Sequence, residues 1–443
     1  MIRESADVIV IGAGAAGLTA ARALAHSGRS VLLLEARNRL GGRIHTVPDS
    51  QGQPIELGAE FIHGRPSEIF RTIITAGLDV REANGMQWVQ DSRGLEPHPG
   101  FFARIRAVLD AIPAAPPDRS FASYLDDFYP LEDESRLWSL EYVEGFHGAI
   151  AEKISIHSLR RGLRAEDMIS GHRSFRFMHG YKVLLDAIQR DTSADKVSLR
   201  LENTVSAVRW GGEGRVQVEA ATPEGDAIYE AKAAVVTLPL GVMQAPLNAA
   251  GAVHFDPPLT EKAGPLGLLF MGQAIRISLV FRSCWWEQIE RGVRNLGILH
   301  SHEEWFPTWW TPQNAGAVLT GWAASRRGER LSGRPAEYVL ERALDSLAAL
   351  FPLERRRIAA ELLSWHTHDW QNDPFSRGSY SYVGVDGEGA QKVLAAPLGN
   401  KLFFAGEATA SDGHHATVHG AIGSGERAAR EVLSTLDVGH RKR

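Results

Sequence analysis

Unbroken apolar runs, rather than alternating ones, open this chain. Four apolar residues follow Asp7, and Asp7–Ile11 therefore reads as a short strand buried on both faces. Ala13–Ser27 is rich in Ala and Leu and reads as a helix, with Gly28 placed to end it in a left-handed turn. Val31–Leu34 is a second buried strand, closed by Glu35. The pattern changes further on. Val197–Leu238 predicts a β-meander turning at "GGEG" and "PEGD", and so a different layer from the β-α-β opening. Leu402–Ala405 reads as another buried strand, with a helix beginning near Val418. A chain whose two ends both carry strand-glycine-helix elements is expected to fold them around one ligand. "PAAPPDRS" (Pro113–Ser120) reads as linker or surface loop, and Phe101–Gly171 carries no readable motif but is expected to shape a pocket.

The glycines of the first turn supply the chemistry. Gly12, Gly14 and Gly17 have G-x-G-x-x-G spacing between strand and helix. Such a turn lets a pyrophosphate approach the backbone, with the helix N-terminus facing its charge. Ala15, Ala16 and Ala36 flank this turn and the end of the second strand. Glu35 is placed to accept hydrogen bonds from the hydroxyls of an adenosine ribose. The chain then runs directly into Arg37, Arg39, Gly41, Gly42 and Arg43, which suits a second approach to the pyrophosphate.

At this point the sequence resembles the flavin-containing amine oxidases, closest to the polyamine oxidase branch. Besides the opening loop, the resemblance rests on "LGAEFIHG" (Leu57–Gly64), "VVTLPLGVM" (Val235–Met243), "DPFSRGSYSYV" (Asp373–Val383) and "LFFAGEATASDGHHATVHGAIGSGERAARE" (Leu402–Glu431). It implies an α/β fold: a Rossmann-like FAD-binding domain (1–75, 172–265 and 385–438) interleaved with an α+β substrate-binding domain (76–171 and 266–384). It implies FAD held by the opening loop, by Leu57, Gly58, Ala59 and Glu60, and by Val205, Trp370, Gly406, Glu407, Ala416, Thr417 and Val418. Ser379 stands where monoamine oxidases carry a flavin-linking cysteine, so the FAD is expected to be non-covalent.

For chemistry the resemblance points to Arg276, Tyr380, His63 and Thr417. Tyr380 matches one wall of the aromatic cage beside the flavin, and Thr417 replaces the other. His63 matches a histidine of animal-type polyamine oxidases. Arg276 stands at a position where the family usually has lysine. An arginine there can orient a water or bind a substrate carboxylate, but cannot act as a base. The implied reaction is oxidation of a di- or polyamine, with molecular oxygen reduced to hydrogen peroxide. The rivals are an L-amino-acid oxidase, a same-fold dehydrogenase or desaturase with another electron acceptor, and a non-enzymatic FAD-binding scaffold.

Composition narrows the picture further. At 443 residues the chain exceeds one simple core, and two domains are expected. A net charge of -5 argues against nucleic acid as the main partner. No apolar run reaches the ~18–20 residues of a membrane span, and the early first strand leaves no room for a signal peptide, so a cytoplasmic protein without membrane association is expected. The single cysteine, Cys284, excludes an internal disulfide and reads as a small packed side chain. No metal is expected: "HTHD" (His366–Asp369) alternates as a strand does, and "HHATVH" (His414–His419) coincides with a flavin signature. Most tryptophans of the second half are expected in the core, with some lining a tunnel for cationic amines. Monomer and homodimer both remain open.

Overall fold

The computed structural model describes residues 2–91, 94–212, 214–289, 292–312 and 316–441. Its centre is a five-stranded parallel sheet in the order Val197–Arg200, Val31–Leu34, Val8–Ile11, Ala233–Val236, Leu402–Phe404. Four of the five runs, all but Val197–Arg200, are wholly buried, as a parallel sheet covered on both faces requires. Alternate side chains serve alternate faces. Val8, Val10, Val31 and Leu33 pack towards the helices Ala15–His26, Lys182–Arg190 and Val418–Arg441. Ile9, Ile11, Leu32 and Leu34 pack against a second sheet made largely of Thr204–Arg209, Val216–Thr222 and Gly225–Ala231.

That second sheet corrects the reading of Val197–Leu238 as one meander. Only the three middle strands are antiparallel neighbours. Val197–Arg200 and Ala233–Val236 join the parallel sheet instead. The reason lies in the pattern: alternation is confined to the middle, whereas Ala233–Val236 is an apolar run buried at every position. Glu213, within the "GGEG" turn, lies outside the described residues.

A seven-stranded sheet runs in the order Leu362–His368, Ala274–Phe281, Val318–Ala324, Thr308–Trp310, Leu296–His300, Met86–Asp91, Gly94–Pro97. Helix Ala336–Leu350 backs it through a core holding Trp285, Trp286 and Trp309, with Trp305 and Trp365 at its margin. Cys284 also packs at this margin. A small sheet joins Ile62–His63, Ser174–Phe177 and Val80–Glu82, so it straddles residue 75.

Phe101–Gly171, silent in motif, folds into the helices Phe101–Asp110, Phe121–Phe128, Glu134–Phe146 and Ile156–Met168 around their own core. Ser120, Asp133 and Ser155 cap the last three, each accepting first-turn N–H groups. Among the described residues, no helix is long and apolar enough to cross a membrane.

Candidate active site

One cavity of ≈ 850 Å³ runs from the opening glycine turn, between the sheets, to the helices of 101–171. Every residue singled out above for cofactor or chemistry lines it except Gly17 and Arg39, whose Nη1 donates to the Leu40 and Ile44 carbonyls instead. Gly17 has a different task. A Cβ there would stand 1.8 Å from the Gly12 carbonyl oxygen, so its glycine lets the helix seat on the turn. Gly14 is the opposite case: a Cβ there would meet nothing closer than the Gly41 oxygen at 3.9 Å. Gly14 and Gly41 form a parallel bridge, which brings the two glycine turns together. The open space over Gly14, at a helix N-terminus, fits a pyrophosphate.

Glu35 is buried at the end of its strand. Its Oε2 accepts from the Ala13 N–H at 2.8 Å and its Oε1 from the Arg37 N–H at 3.0 Å. Each oxygen keeps acceptor capacity for ribose hydroxyls. Arg37 is drawn to Asp373 at 2.5 Å and to Ser376 at 3.0 Å. Val205, from the second sheet, completes this end of the cavity.

Further along, Glu407 ties remote segments together. It accepts from Arg43 Nη1 at 2.9 Å, from Ser381 Oγ at 2.6 Å and from the Ala416 N–H at 2.9 Å. Burial pushes its carboxyl up, but Arg43 and these hydrogen bonds hold it below the usual carboxylate range. Ala416 sits at φ 63, in the left-handed region, where the following helix begins. Thr417 Oγ1 donates to the His414 carbonyl at 2.7 Å and accepts from the Gly420 N–H at 2.9 Å. It is thus the N-cap of helix Val418–Arg441, and its hydroxyl is already engaged. The helix N-terminus at Val418 faces the cavity with its partial positive charge.

Arg276 is neither exposed nor free. Its Nη2 lies 2.5 Å from Glu60 Oε2, and its Nη1 donates to the Gly58 carbonyl at 3.1 Å. Glu60 is shared with Arg176 at 2.7 Å and accepts from Trp310 Nε1 at 3.0 Å. This leaves Arg276 a fixed group in the wall. Trp310, Trp322 and Trp370 line the cavity, each indole N–H donating to Glu60, the Gly145 carbonyl and the Leu57 carbonyl respectively.

Tyr380 stands over the chamber, its hydroxyl donating to the Phe146 carbonyl at 2.7 Å. Burial raises its phenol pKa well above the ordinary value, so it stays neutral. His63 lies against Phe146 at 5.3 Å between ring centroids, and burial lowers its pKa to about 4. His147, His300, His415 and His419 share this fate, with pKa values lowered by burial to about 3 or 4. All are uncharged imidazoles at neutral pH. His414 and His419 meet at 3.1 Å, and His368 meets Asp373 at 3.0 Å. Among the described residues, no group of His, Cys, Asp or Glu is arranged to hold a metal ion.

The charges lining the cavity are unequal in one respect. Its arginines, 37, 43, 106, 176 and 276, are each paired with a carboxylate. The carboxylates Glu35, Glu60, Glu141, Asp167 and Glu407 all have a charged partner. Glu166 alone, among the described carboxylates lining the cavity, has no ion pair or side-chain hydrogen bond. Burial raises its pKa to about 7, the Arg106 charge partly opposing. Sequence reading missed it, because nothing local separates Glu166 from its solvent-facing neighbour Asp167.

Comparison with known proteins gives the family. A family model described as "Flavin containing amine oxidoreductase" matches residues 15–433. Polyamine oxidase 4 of Oryza sativa subsp. japonica is 27% identical, over 97% of this chain and 89% of its own length. Polyamine oxidase 2 of Arabidopsis thaliana is 28% identical, over 97% and 89%. A lysine-specific histone demethylase 1 homolog 2 of Oryza sativa subsp. japonica is also 28% identical over 97% of this chain, but that match spans only 57% of the relative. Among solved structures, a putrescine oxidase bound to putrescine superposes with a TM-score of 0.78 at 20% identity, over 98% of this chain and 100% of that one. At that identity the likeness speaks for the fold.

Proposed function

We propose that this chain, which belongs to the flavin containing amine oxidoreductase family, oxidises a di- or polyamine with FAD and passes the electrons to molecular oxygen as hydrogen peroxide. The chain is a flavin-dependent amine oxidase by family; the substrate, the acceptor and the residue roles are this proposal. The observation that carries the substrate class is the charge imbalance of the cavity. Among its described lining residues every arginine is committed to a carboxylate, while Glu166 is not committed to any cation. Such a wall receives a cationic amine and offers no guanidinium to a substrate carboxylate. Arg276 in particular is spent on Glu60, which disfavours the L-amino-acid oxidase reading.

Segments 1–75, 172–265 and 385–438 would build the FAD side of the cavity and 76–171 and 266–384 the substrate side. In this arrangement Gly12, Gly14, Gly41 and Gly42 would cradle the pyrophosphate, Glu35 would hold the ribose, and Gly58 to Glu60 with Trp370 would take the ring end. The FAD is non-covalent, since Ser379 offers no thiol and donates its hydroxyl to the Gly272 carbonyl. When bound, the flavin supplies a two-electron acceptor for the C–H bond beside the amine nitrogen. The chain's part is to make the amine reactive. Tyr380 and Trp322 form apolar walls that disfavour the ammonium form by desolvation. His63, uncharged, can accept a hydrogen bond from the amine without adding charge. The Val418 helix end would offer its partial positive charge to the bound FAD, while Arg276, paired with Glu60, would serve as a fixed part of the wall.

Anaerobic titration of the purified holoprotein tests this. Putrescine, spermidine and spermine should bleach the flavin absorbance quickly, simple monoamines only slowly, and basic amino acids not at all. Bleaching by amino acids alone would move the assignment to amino-acid oxidation. Admitting air should restore the absorbance with stoichiometric peroxide; slow reoxidation would point to another acceptor.

A further inference from the structure

We propose that Glu166 is the anchor for a second ammonium group of the substrate, and so sets the spacing between the cationic centres this site accepts. The inference rests on the amine-oxidase reading above and adds to it the residue that distinguishes a diamine from a monoamine.

Helix Ile156–Met168 presents Leu159, Gly162, Leu163 and Glu166 to the cavity, at the spacing of one helical face. Asp167, the next residue, is turned out to Arg106, which grips it with two hydrogen bonds of 2.8 Å and also holds Asp110. The nearest guanidinium is therefore already spent. Gly162, one turn before Glu166, leaves open room: a Cβ there would meet only the Gly413 oxygen, at 3.9 Å.

An aromatic row connects this carboxylate to the chamber where oxidation is proposed. Tyr380 donates to the Phe146 carbonyl at 2.7 Å. The Phe146 ring stacks on Tyr142, 5.1 Å between centroids and 8° from parallel. Tyr142 lies close enough to Glu166 for that carboxylate to help raise its phenol pKa, after burial. Rings along this row suit a methylene chain and a cation in transit. A half-buried carboxylate without a partner is costly, and a cationic ligand removes that cost. The groups facing Glu166 from the packed helices are Arg106, Asp167 and Tyr142, and none of them supplies a free cation.

The test compares putrescine with butylamine, which has the same carbon chain and lacks the second ammonium, on FAD-loaded wild type and Glu166→Gln. Wild type should prefer putrescine in kcat/KM. Glu166→Gln should lose about 10- to 100-fold for putrescine, mainly through KM, the size of one hydrogen bond to a charged group. Its butylamine kinetics should stay near those of wild type. A thermal-shift titration with putrescine on the same two proteins gives an activity-independent reading, and the wild-type shift should be lost in the variant. If Glu166→Gln loses its flavin, Glu166→Asp keeps the charge on a shorter arm and should favour a diamine longer by one methylene. Unchanged putrescine-to-butylamine selectivity in Glu166→Gln, or unchanged length preference in Glu166→Asp, would overturn the anchor and leave the amine-oxidase reading standing. A wild-type flavin bleached by no amine would instead overturn that reading.

Discussion

Arg276 and Glu60 form a buried ion pair, Nη2 to Oε2 at 2.5 Å, with side chains only 6% and 5% exposed. Glu60 also serves Arg176 and Trp310, so one carboxylate balances two guanidinium groups in the cavity wall. Burial pushes the Glu60 carboxyl up, and the two arginines more than reverse this, holding it ionised. The consequences of breaking this triad are unequal. Glu60→Gln leaves two buried cations without a counter-charge and should cost about 3–5 kcal/mol of stability. Arg276→Met leaves the Glu60–Arg176 pair intact and should cost clearly less. Urea unfolding of the flavin-loaded proteins measures both, and equal losses would show that Glu60 is not shared in solution.

The opening turn separates folding from cofactor binding. Gly14→Ala places a methyl where the nearest atom is 3.9 Å away, so the apoprotein should unfold within about 1 kcal/mol of wild type. That methyl would occupy the space proposed for the pyrophosphate, so the purified variant should be colourless. Gly17→Ala places a methyl 1.8 Å from the Gly12 oxygen and should fail on stability first. Apoprotein melting temperature and flavin absorbance, read together, check the pair. A yellow Gly14→Ala protein would move the pyrophosphate elsewhere.

The cavity histidines should make the protein acid-sensitive, and His300 shows the sign. Its ring stacks on Phe101 at 4.2 Å, and burial lowers its pKa to about 3, the Glu141 charge partly opposing. In the unfolded chain the same imidazole takes its proton near ~6.5. The unfolded state therefore binds the extra proton first. His300's contribution to stability is intact above pH ~6.5 and falls as pH drops towards 3, by at most about 1.4 kcal/mol per unit. His300→Phe keeps the stacked ring and removes the titration. Between pH 7.5 and pH 5.5 its urea midpoint should fall less than that of wild type, by the equivalent of about 1 kcal/mol. Parallel decreases would mean that His300 takes its proton in the folded state.

Local signals were readable in the chain, and long-range pairing was not. The Gly12–Gly17 turn, the buried runs flanking it and the helix at Val418 declare themselves within a few residues, because turn geometry and burial are local demands. The cavity's electrostatics are different. Glu60 finds Arg276 across 216 positions and Arg43 finds Glu407 across 364, and neither partner carries a mark of the other. The misreading of Val197–Leu238 has the same origin. Strand existence was visible, but sheet membership depends on which distant strand is adjacent, and Ala233–Val236 pairs with Val8–Ile11. Thr417 lines the cavity, and its hydroxyl closes the first turn of its own helix, a bond its place in a motif does not reveal. Phe101–Gly171 showed nothing because a helical wall is specified by packing, and Glu166 is distinguished only by the partner it lacks.

Tyr380 completes the set. Its hydroxyl donates to the Phe146 carbonyl at 2.7 Å, and burial raises its phenol pKa well above the ordinary value. A neutral phenol already committed to a carbonyl is poorly placed for proton transfer, so its contribution lies in the ring and in fixing the end of helix Glu134–Phe146. Tyr380→Phe keeps the ring and removes only that hydrogen bond. It should hold kcat/KM for the best amine within about tenfold of wild type, since one neutral hydrogen bond is worth about 0.5–1.5 kcal/mol. The pH profile of kcat/KM should keep its shape. Tyr380→Ala opens the chamber to water, lessens the desolvation that favours the neutral amine, and should lose more, with the profile displaced to higher pH. Should Tyr380→Phe lose a limb of the wild-type profile, the hydroxyl would be taking part in proton transfer and the ring-only role would fall.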